Sequence, residues 1–599
     1  MQTELKQTAT VDSLSDFKTD RRVLILSAMA LAIGTLTAFV AKVLLWLIAL
    51  ITNVAFHHRF SASDATPLGH HYGFAVVLVP VAGALIIGLM ARYGSSKIRG
   101  HGIPEALEAI LIGRSRISPK VALLKPISAA ISIGTGGPFG AEGPIIMTGG
   151  AFGSLIAQLF HLTDAERKTL LAAGAAGGMA AVFATPVAAV LLAVELLLFE
   201  WKPRSFIPVA VAASVAAAMR VPLLGAGPTF PVMEHIHLSA GILGGALAVG
   251  IITGFASSFL TTLLYGIEDA FHKLPIHWMW WPAIGAMVVG IGGWLDPRVL
   301  GVGYDLIQSL LNGQILGAAL IGLLVGKAIV WSIALGSGTS GGVLAPLLIL
   351  GGAVGAIVGH VLPVGDSGLW AMIGMAAMMG GTMRAPFTGV VFMLELTHDL
   401  NALPALLIGC VSALGVTVLL LRRSILTEKL ARRGQHITCE YSIDPFELLR
   451  VGEVMDTHPP VAPATMTVGE LSDRIARGEA QFTRRQGTLL MDADNLLVGI
   501  VTRGDLVRAL QQDVTGKRTL LEAGVTEPQV AFADELLHDA IGRMLKNNIG
   551  RLPVVDRANL KRVIGYLGRS NVMAARAGRF HEEEVREKSS LSALLPIGP

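Results

Sequence analysis

Cysteine and charge are both scarce in this chain. Two cysteines in 599 residues, Cys410 in an apolar run and Cys439 in a polar one, exclude a disulfide framework as its main support. Only 15% of residues are charged and 52% are hydrophobic, and at a mean hydropathy of +0.62 a soluble domain of this size would not stay in solution. The formal net charge of +4 is too mild to argue for nucleic-acid binding. No phosphate-cradling Walker loop, nucleophile elbow or zinc-protease motif occurs, so ATP-driven pumping and hydrolysis have no support and no enzyme is expected. The first twenty residues are polar and lack the apolar core of a secretory leader, so none is expected.

What the chain has instead is length in apolar runs. Stretches such as "FAVVLVPVAGALIIGLMARY" and "ALLIGCVSALGVTVLLL" reach or approach the roughly 20 apolar residues of a spanning helix. Many of the runs are interrupted by some of the 69 glycines and 28 prolines. In lipid, such breaks survive only where the freed backbone is buried in protein or lines a cavity. This composition predicts a polytopic membrane protein of the transporter or channel class. Lys18, Arg21 and Arg22 before the first span, and Lys97, Arg99, Arg114, Arg116 and Lys120 in later loops, place the N-terminus and those loops in the cytoplasm.

After "LLLRRSILTEKLARRG" the composition turns charged, with short β-like runs and amphipathic helices. The chain therefore divides into a membrane part of roughly 400 residues and a tail of roughly 160, also expected to be cytoplasmic. The expected boundaries are 1–21 for the N-terminal segment, 22–421 for the membrane domain with repeats at about 22–220 and 235–421, and 422–450 for a linker. The tail divides into 451–515, 516–578 and a terminal 579–599.

Both parts repeat internally. "EGPIIMTGGAFG" from Glu142 has a counterpart in "LAPLLILGGAVG" from Leu344, and "TPVAAVLLAVEL" from Thr185 in "APFTGVVFMLEL" from Ala385, at one offset of about 200 residues. Glu195 and Glu395, equivalent in the second pair, are expected to pack or cap helices. Duplication with interrupted helices is the pattern of secondary transporters and related channels. In "RGHGIPEALEAI", "GAEGPIIM" and "GSGTSGGVLAPLLIL", glycines turn the backbone and a proline falls in the first turn of the helix that follows. Each is a helix start inside the membrane, and N-termini converging on one point would bind an anion without a full cation. A lone carboxylate there, Glu142, is costly and needs a reason.

With "GHGIP" from Gly100, "GAEGP" from Gly140, "GGVLAP" from Gly341 and Lys125 ahead of Glu142, the chain resembles the CLC family of chloride channels and chloride/proton antiporters. In the tail, "TLLMDADNLLVGIVTRGDLVRAL" and "RLPVVDRANLKRVIGYLGRSNVMAA", with second strands ending at Gly499 and Gly565, look like a tandem CBS pair. The resemblance implies an all-α inverted-repeat membrane fold with broken helices, a cytoplasmic α/β CBS pair, and a homodimer in the cell membrane with one anion pathway per subunit. It implies that Glu142 gates by occupying the anion site in place of the ion. His101, Gly102, Ile103, Gly143, Val343, Leu344 and Leu426 then occupy the filter positions.

Several of these positions depart from the family pattern. His101 stands where serine is usual, Leu426 where tyrosine is usual, and Leu344 where phenylalanine is typical. His101 is either an anion ligand that couples conduction to pH or a neutral ring hydrogen-bonded to backbone. Leu196 occupies the proton-transfer position of the antiporters, where leucine carries no proton; Glu200, one turn on, is a candidate substitute. The expected function is a voltage- or pH-gated chloride channel or transporter, uncoupled by the standard route and requiring no cofactor. The alternatives are an antiporter with a different proton path and a non-conducting nucleotide sensor. Thr502 and Asp505 match nucleotide-contacting CBS positions, which the second repeat replaces with Gly568 and Asn571, so an adenine nucleotide is a candidate ligand. His57, His58, His70, His71, His235 and His237 are weak candidates for a metal.

Overall fold

The computed structural model describes residues 22–160, 162–232, 238–433, 449–483 and 485–575. The expected N-terminal segment, most of the linker, the terminal segment, Cys439, His235 and His237 lie outside the described residues. The chain forms two units, divided between Cys439 and Glu440.

The first unit is helical. Its helices are α1 (Arg22–His57), α2 (Leu78–Tyr93), α3 (Ile103–Leu111), α4 (Pro119–Gly134), α5 (Glu142–Gln158), α6 (Asp164–Phe183), α7 (Pro186–Leu192) and α8 (Pro203–Leu224). The second set is α9 (Ala240–His272), α10 (Trp281–Leu295), α11 (Tyr304–Leu311), α12 (Ala318–Gly336), α13 (Leu344–Gly359), α14 (Ser367–Met383), α15 (Pro386–Thr397), α16 (Leu403–Leu420) and α17 (Ile425–Arg432). Seven helical segments among the described residues are long and apolar enough to cross a membrane.

The repeated Gly-Gly motif explains the tightest packing. A Cβ on Gly149 of α5 would fall on the carbonyl oxygen of Gly174 in α6, and one on Gly174 would fall on that of Gly149. Gly351 of α13 and Gly374 of α14 stand in the same reciprocal relation. Small residues thus let the two backbones of each half meet, which replaces the hydrophobic drive that lipid does not supply. Gly34 of α1 against α8 and Gly250 of α9 against α16 are similarly close, each with its Cβ position 2.5 Å from the opposing carbonyl oxygen of Ala212 or Gly409.

The halves are related by a two-fold axis, and the backbone marks where it passes. Gly140 and Gly342, repeat equivalents of one another, form an antiparallel bridge. Each donates its N–H to the other's carbonyl, at 3.2 and 2.9 Å. A residue that exchanges hydrogen bonds with its own equivalent lies beside the axis, two residues before α5 and α13 begin.

The second unit has two small sheets. One runs in the order Val461–Pro463, Gly487–Met491, Leu497–Thr502, Val525–Thr526; the other, Ala531–Phe532, Arg551–Val555, Val563–Gly568. In both, the first pair is parallel and the second antiparallel. The second strands do not end at Gly499 and Gly565, as the sequence suggested, but run on to Thr502 and Gly568. Glycine is needed there because another segment crosses: a Cβ on Gly499 would lie 2.9 Å from the Val525 carbonyl oxygen, and one on Gly565 2.5 Å from the Met455 sulphur. The repeats also exchange segments. Val525–Thr526 completes the first sheet, while Val451 packs in the core of the second repeat and Asp456 pairs with Tyr566. The 515/516 division therefore separates sequence repeats and not packing units.

Candidate functional site

Around the Gly140–Gly342 bridge the starts of α3, α5 and α13 come together. Gly100 donates its N–H to the Thr339 carbonyl at 2.8 Å, and Gly341 donates to the Gly100 carbonyl at 3.4 Å. Gly102 has φ +94°, open to glycine alone without strain, and its Cβ position is 2.5 Å from the Gly143 carbonyl oxygen. A Cβ on Gly143 would fall on the carbonyl oxygen of His101 and 3.1 Å from the Cα of Gly342. The three helix starts touch through backbone, which glycine alone permits. Of the expected filter positions, Ile103, Val343 and Leu344 are fully buried and His101 and Leu426 nearly so; Leu426 lies on α17, which packs on α3.

Two buried lysines hold this geometry. The Nζ of Lys125 on α4 donates to the carbonyls of Ile98 and Gly100 at 2.9 and 2.7 Å. The Nζ of Lys327 on α12 donates to Val299 and Gly301 at 3.0 and 3.1 Å. Each pins the G-x-G segment that enters α3 or α11, so the lysines and those segments are a third repeated pair, one that the motif comparison missed. "RGHG" and "LGVG" carry the signal, but it is short.

The Glu142 side chain is fully buried. It folds back over Gly140, whose Cβ position it would fill. The N–H groups of Glu142 itself and of Ala345 face the carboxylate, which thus sits in the space shared by the starts of α5 and α13. The Tyr304 hydroxyl stands 3.5 Å from Oε1. Tyr304 was not among the expected site residues. It is the first residue of α11, and its ring is held edge-on by Phe183, with centroids 6.0 Å apart.

Cavities approach this point from two directions. One, of about 770 Å³, reaches Gly100 and His101 past Lys429 and Arg433. The other, of about 700 Å³, reaches Ala141 and Tyr304 past Lys42 and Arg220. Glu142 lies between their ends. No described residue hydrogen-bonds either ring nitrogen of His101, so the backbone-bonded alternative for this ring is not what the structure contains. Glu105, two residues after Ile103, accepts from the Gly102 N–H at 2.9 Å and pairs with Lys429 at 3.1 Å.

Leu196 lies in a buried π-helical turn, Ala193–Leu198, within the apolar core. Glu200 accepts from the Ser205 hydroxyl at 2.9 Å and faces Lys202 at 3.6 Å; it anchors the start of α8 and lines neither cavity. Glu195 and Glu395 cap each other's helix across the axis. Glu195 accepts from the N–H groups of Phe387 and Thr388 at 3.3 and 2.9 Å, and Glu395 from those of Val187 and Ala188 at 3.0 and 2.8 Å.

In the second unit, Asp505 caps the helix Arg503–Gln512. It accepts from the Thr502 N–H at 2.8 Å and the Thr502 hydroxyl at 2.7 Å, while Arg508 pairs with its other oxygen. Asn571 accepts from the Gly568 N–H at 3.1 Å at the equivalent position. His57 and His58 bond Thr66 and Tyr72, and no cluster of three metal-ligating side chains occurs among the described residues.

Comparison with known proteins follows the same division. A family model described as "Voltage gated chloride channel" matches residues 82–418, and one described as "CBS domain" matches 451–512 and 524–578. The H(+)/Cl(-) exchange transporter ClcA of Salmonella arizonae is 28% identical over 415 residues, 66% of this chain and 85% of that protein. The voltage-gated ClC-type chloride channel ClcB of Salmonella typhimurium is 28% identical over 391 residues, 62% of this chain and 93% of that protein. Among solved structures, a slow cyanobacterial Cl−/H+ antiporter superposes with a TM-score of 0.62 at 22% identity, covering 69% of this chain and 99% of that one. A eukaryotic CLC transporter covers 92% of this chain and 98% of its own length, with a TM-score of 0.58 at 18% identity.

Proposed function

The chain belongs to the voltage-gated chloride channel family, and from that premise we propose that it conducts chloride or a similar small anion passively, with Glu142 as the gate. The observation that carries the reading is the Glu142 carboxylate itself, lying between the ends of two cavities in the space that the N-termini of α5 and α13 share. A carboxylate and an anion compete for the same N–H groups. Protonation or outward rotation of the side chain frees those groups for the ion, and the arrival of the next carboxylate conformation closes the path. His101, Gly102, Ile103, Gly143, Val343, Leu344 and Leu426 form the filter, with backbone N–H groups as the main donors because two of the usual side-chain hydroxyls are replaced.

Passive conduction is supported by Leu196. Its apolar side chain, packed in apolar surroundings, cannot pass a proton, and Glu200 is committed to Ser205 and Lys202. A coupled exchanger is the second reading, and the unpaired imidazole of His101 at the end of a cavity favours it. The sensor reading is weaker, because both Asp505 oxygens already hold partners, Thr502 and Arg508. An adenine nucleotide would have to displace Arg508 to reach that carboxylate. In the proposed arrangement the protein is a homodimer in the cell membrane, one path per subunit, with both termini in the cytoplasm.

The test is anion efflux from chloride-loaded liposomes with external pH recorded, for the natural protein and Glu142→Ala. Chloride flux without proton movement, raised in the variant, is expected. Opposed proton movement sinks the passive reading in favour of His101, and absence of flux with any small anion in either form sinks transport altogether.

A further inference from the structure

A third cavity of the membrane unit, about 670 Å³, adjoins the one that reaches His101 and shares Ser96, Lys97 and Glu105 with it. It opens where α2 ends and α4 begins. Three cations line it: Arg92 at the end of α2, Lys97 in the turn that follows, and Arg116 just before α4. None forms an ion pair with a described carboxylate. Arg92 reaches only the Met279 sulphur, at 3.9 Å, and the face of the Tyr93 ring, at 5.6 Å. Glu105 also borders the cavity, but its carboxylate is committed to Gly102 and Lys429.

The floor is apolar, formed by Ala91, Val121 and Met147, and Trp278 closes one side. Next to the lining residues Arg92 and Val121 along the chain, Tyr93 and Leu123 are 77% and 64% exposed. An exposed tyrosine at the end of an apolar span marks the membrane–water boundary. A cavity lined by cations beside exposed apolar side chains matches a molecule that is anionic at one end and apolar at the other.

We propose that this cavity binds an anionic phospholipid, its phosphate group held by Arg92, Lys97 and Arg116 and its acyl chains leaving past Tyr93 and Leu123. Basic pockets between spanning helices recognise such headgroups, each cation adding to the attraction. The site also touches the anion path. Lys97 leads directly into Ile98–Gly100, the segment that Lys125 pins, and Met147 packs against the start of α3, its Cβ lying 3.3 Å from a Cβ position on Gly102. A bound headgroup would brace that segment from its outer side. The proposal rests on the cavity alone, and its test reads binding and not flux, so its failure leaves the proposed conduction untouched.

The full-length protein is extracted from vesicles of equal parts phosphatidylcholine and phosphatidylglycerol, and the lipid that stays bound is measured by native mass spectrometry. Enrichment of phosphatidylglycerol on the order of tenfold is expected for the natural protein. Arg92→Gln/Lys97→Gln/Arg116→Gln should abolish it with an unchanged melting temperature, and Arg92→Lys/Arg116→Lys should keep it. Enrichment that survives the triple substitution, or that is lost in the lysine pair, overturns the site. Equal thermal stabilisation by inorganic phosphate and by short-chain phosphatidylglycerol overturns the lipid as occupant in favour of free phosphate.

Discussion

Replacing Tyr304 with phenylalanine removes one hydroxyl from beside Glu142, the proposed gate, and keeps the ring. The ring keeps its contacts with Phe183 and Phe230, at centroid distances of 6.0 and 5.9 Å. What is lost is the approach of the hydroxyl to Glu142 Oε1 at 3.5 Å, together with its bond from the Ala141 N–H. A hydrogen bond to a charged group is worth about 1.5–3 kcal/mol net at good geometry. An O···O separation this far beyond the ordinary ~2.7–2.8 Å retains only part of that, about 0.5–1 kcal/mol. Under the proposed gating the hydroxyl stabilises the blocking position of the carboxylate, so its removal should raise chloride efflux from liposomes by about 2–5-fold. The same substitution in a Glu142→Ala background should raise it no further, because the group it acts on is gone. An equal rise in that background, or a fall in the single variant, would show that the hydroxyl serves the anion or the fold and not the gate.

The helix contacts give further expectations. Gly143→Ala drives a methyl into the His101 carbonyl, and overpacking of about 1–3 kcal/mol should lower the melting temperature and close the path; normal flux would refute the contact. Glu395→Gln weakens a cap of two backbone donors and Glu195→Gln one that adds the Thr388 hydroxyl to two backbone donors, so each should destabilise by about 1–2 kcal/mol, the second more, read by thermal melting in detergent. A large effect from one and none from the other would break the equivalence. In the CBS unit, burial pushes the Asp456 carboxyl up, but the His458 N–H and the Arg485 guanidinium outweigh it and leave it below the usual value. The stability it contributes is therefore full above the ordinary carboxylate range and lost as pH falls through the lowered value, so melting of that unit should drop below about pH 4. Arg485→Met should flatten the drop.

The membrane architecture was legible because lipid restricts how a backbone can behave. Proline and glycine in apolar runs had to be buried breaks, and a Gly-Gly pair recurring at one offset had to be a helix contact made twice. The glutamates nine residues beyond each proline had to answer to donors, and they answer to each other's helix. Tyr304 was not legible. It is one aromatic among many, and only the axis that places α11 opposite α3 brings it to Glu142. Gly499 and Gly565 misled because glycine was read as punctuation, when a carbonyl and a sulphur arriving from distant segments required it. The exchange of segments between the CBS repeats depends on the same kind of long-range contact, which no local pattern encodes.

The two-fold axis also separates scaffold from function. Equivalent positions that kept the same residue, Lys125 and Lys327, Glu195 and Glu395, Gly140 and Gly342, Gly149 and Gly351, make the same contacts in both halves. A perfectly symmetric pair of halves would face both cavities with one set of groups, and no side chain could distinguish the two directions. Among the equivalents that differ, three lie close to the bridge: Glu142 against Leu344, His101 against Val302, Ile103 against Tyr304. The first puts a carboxylate on one side of the axis, the second an imidazole at the end of one cavity, and the third a hydroxyl at the end of the other. The proposed gate on one side of a shared site requires symmetry to be broken there, and these substitutions break it without disturbing the backbone that brings the helix starts together.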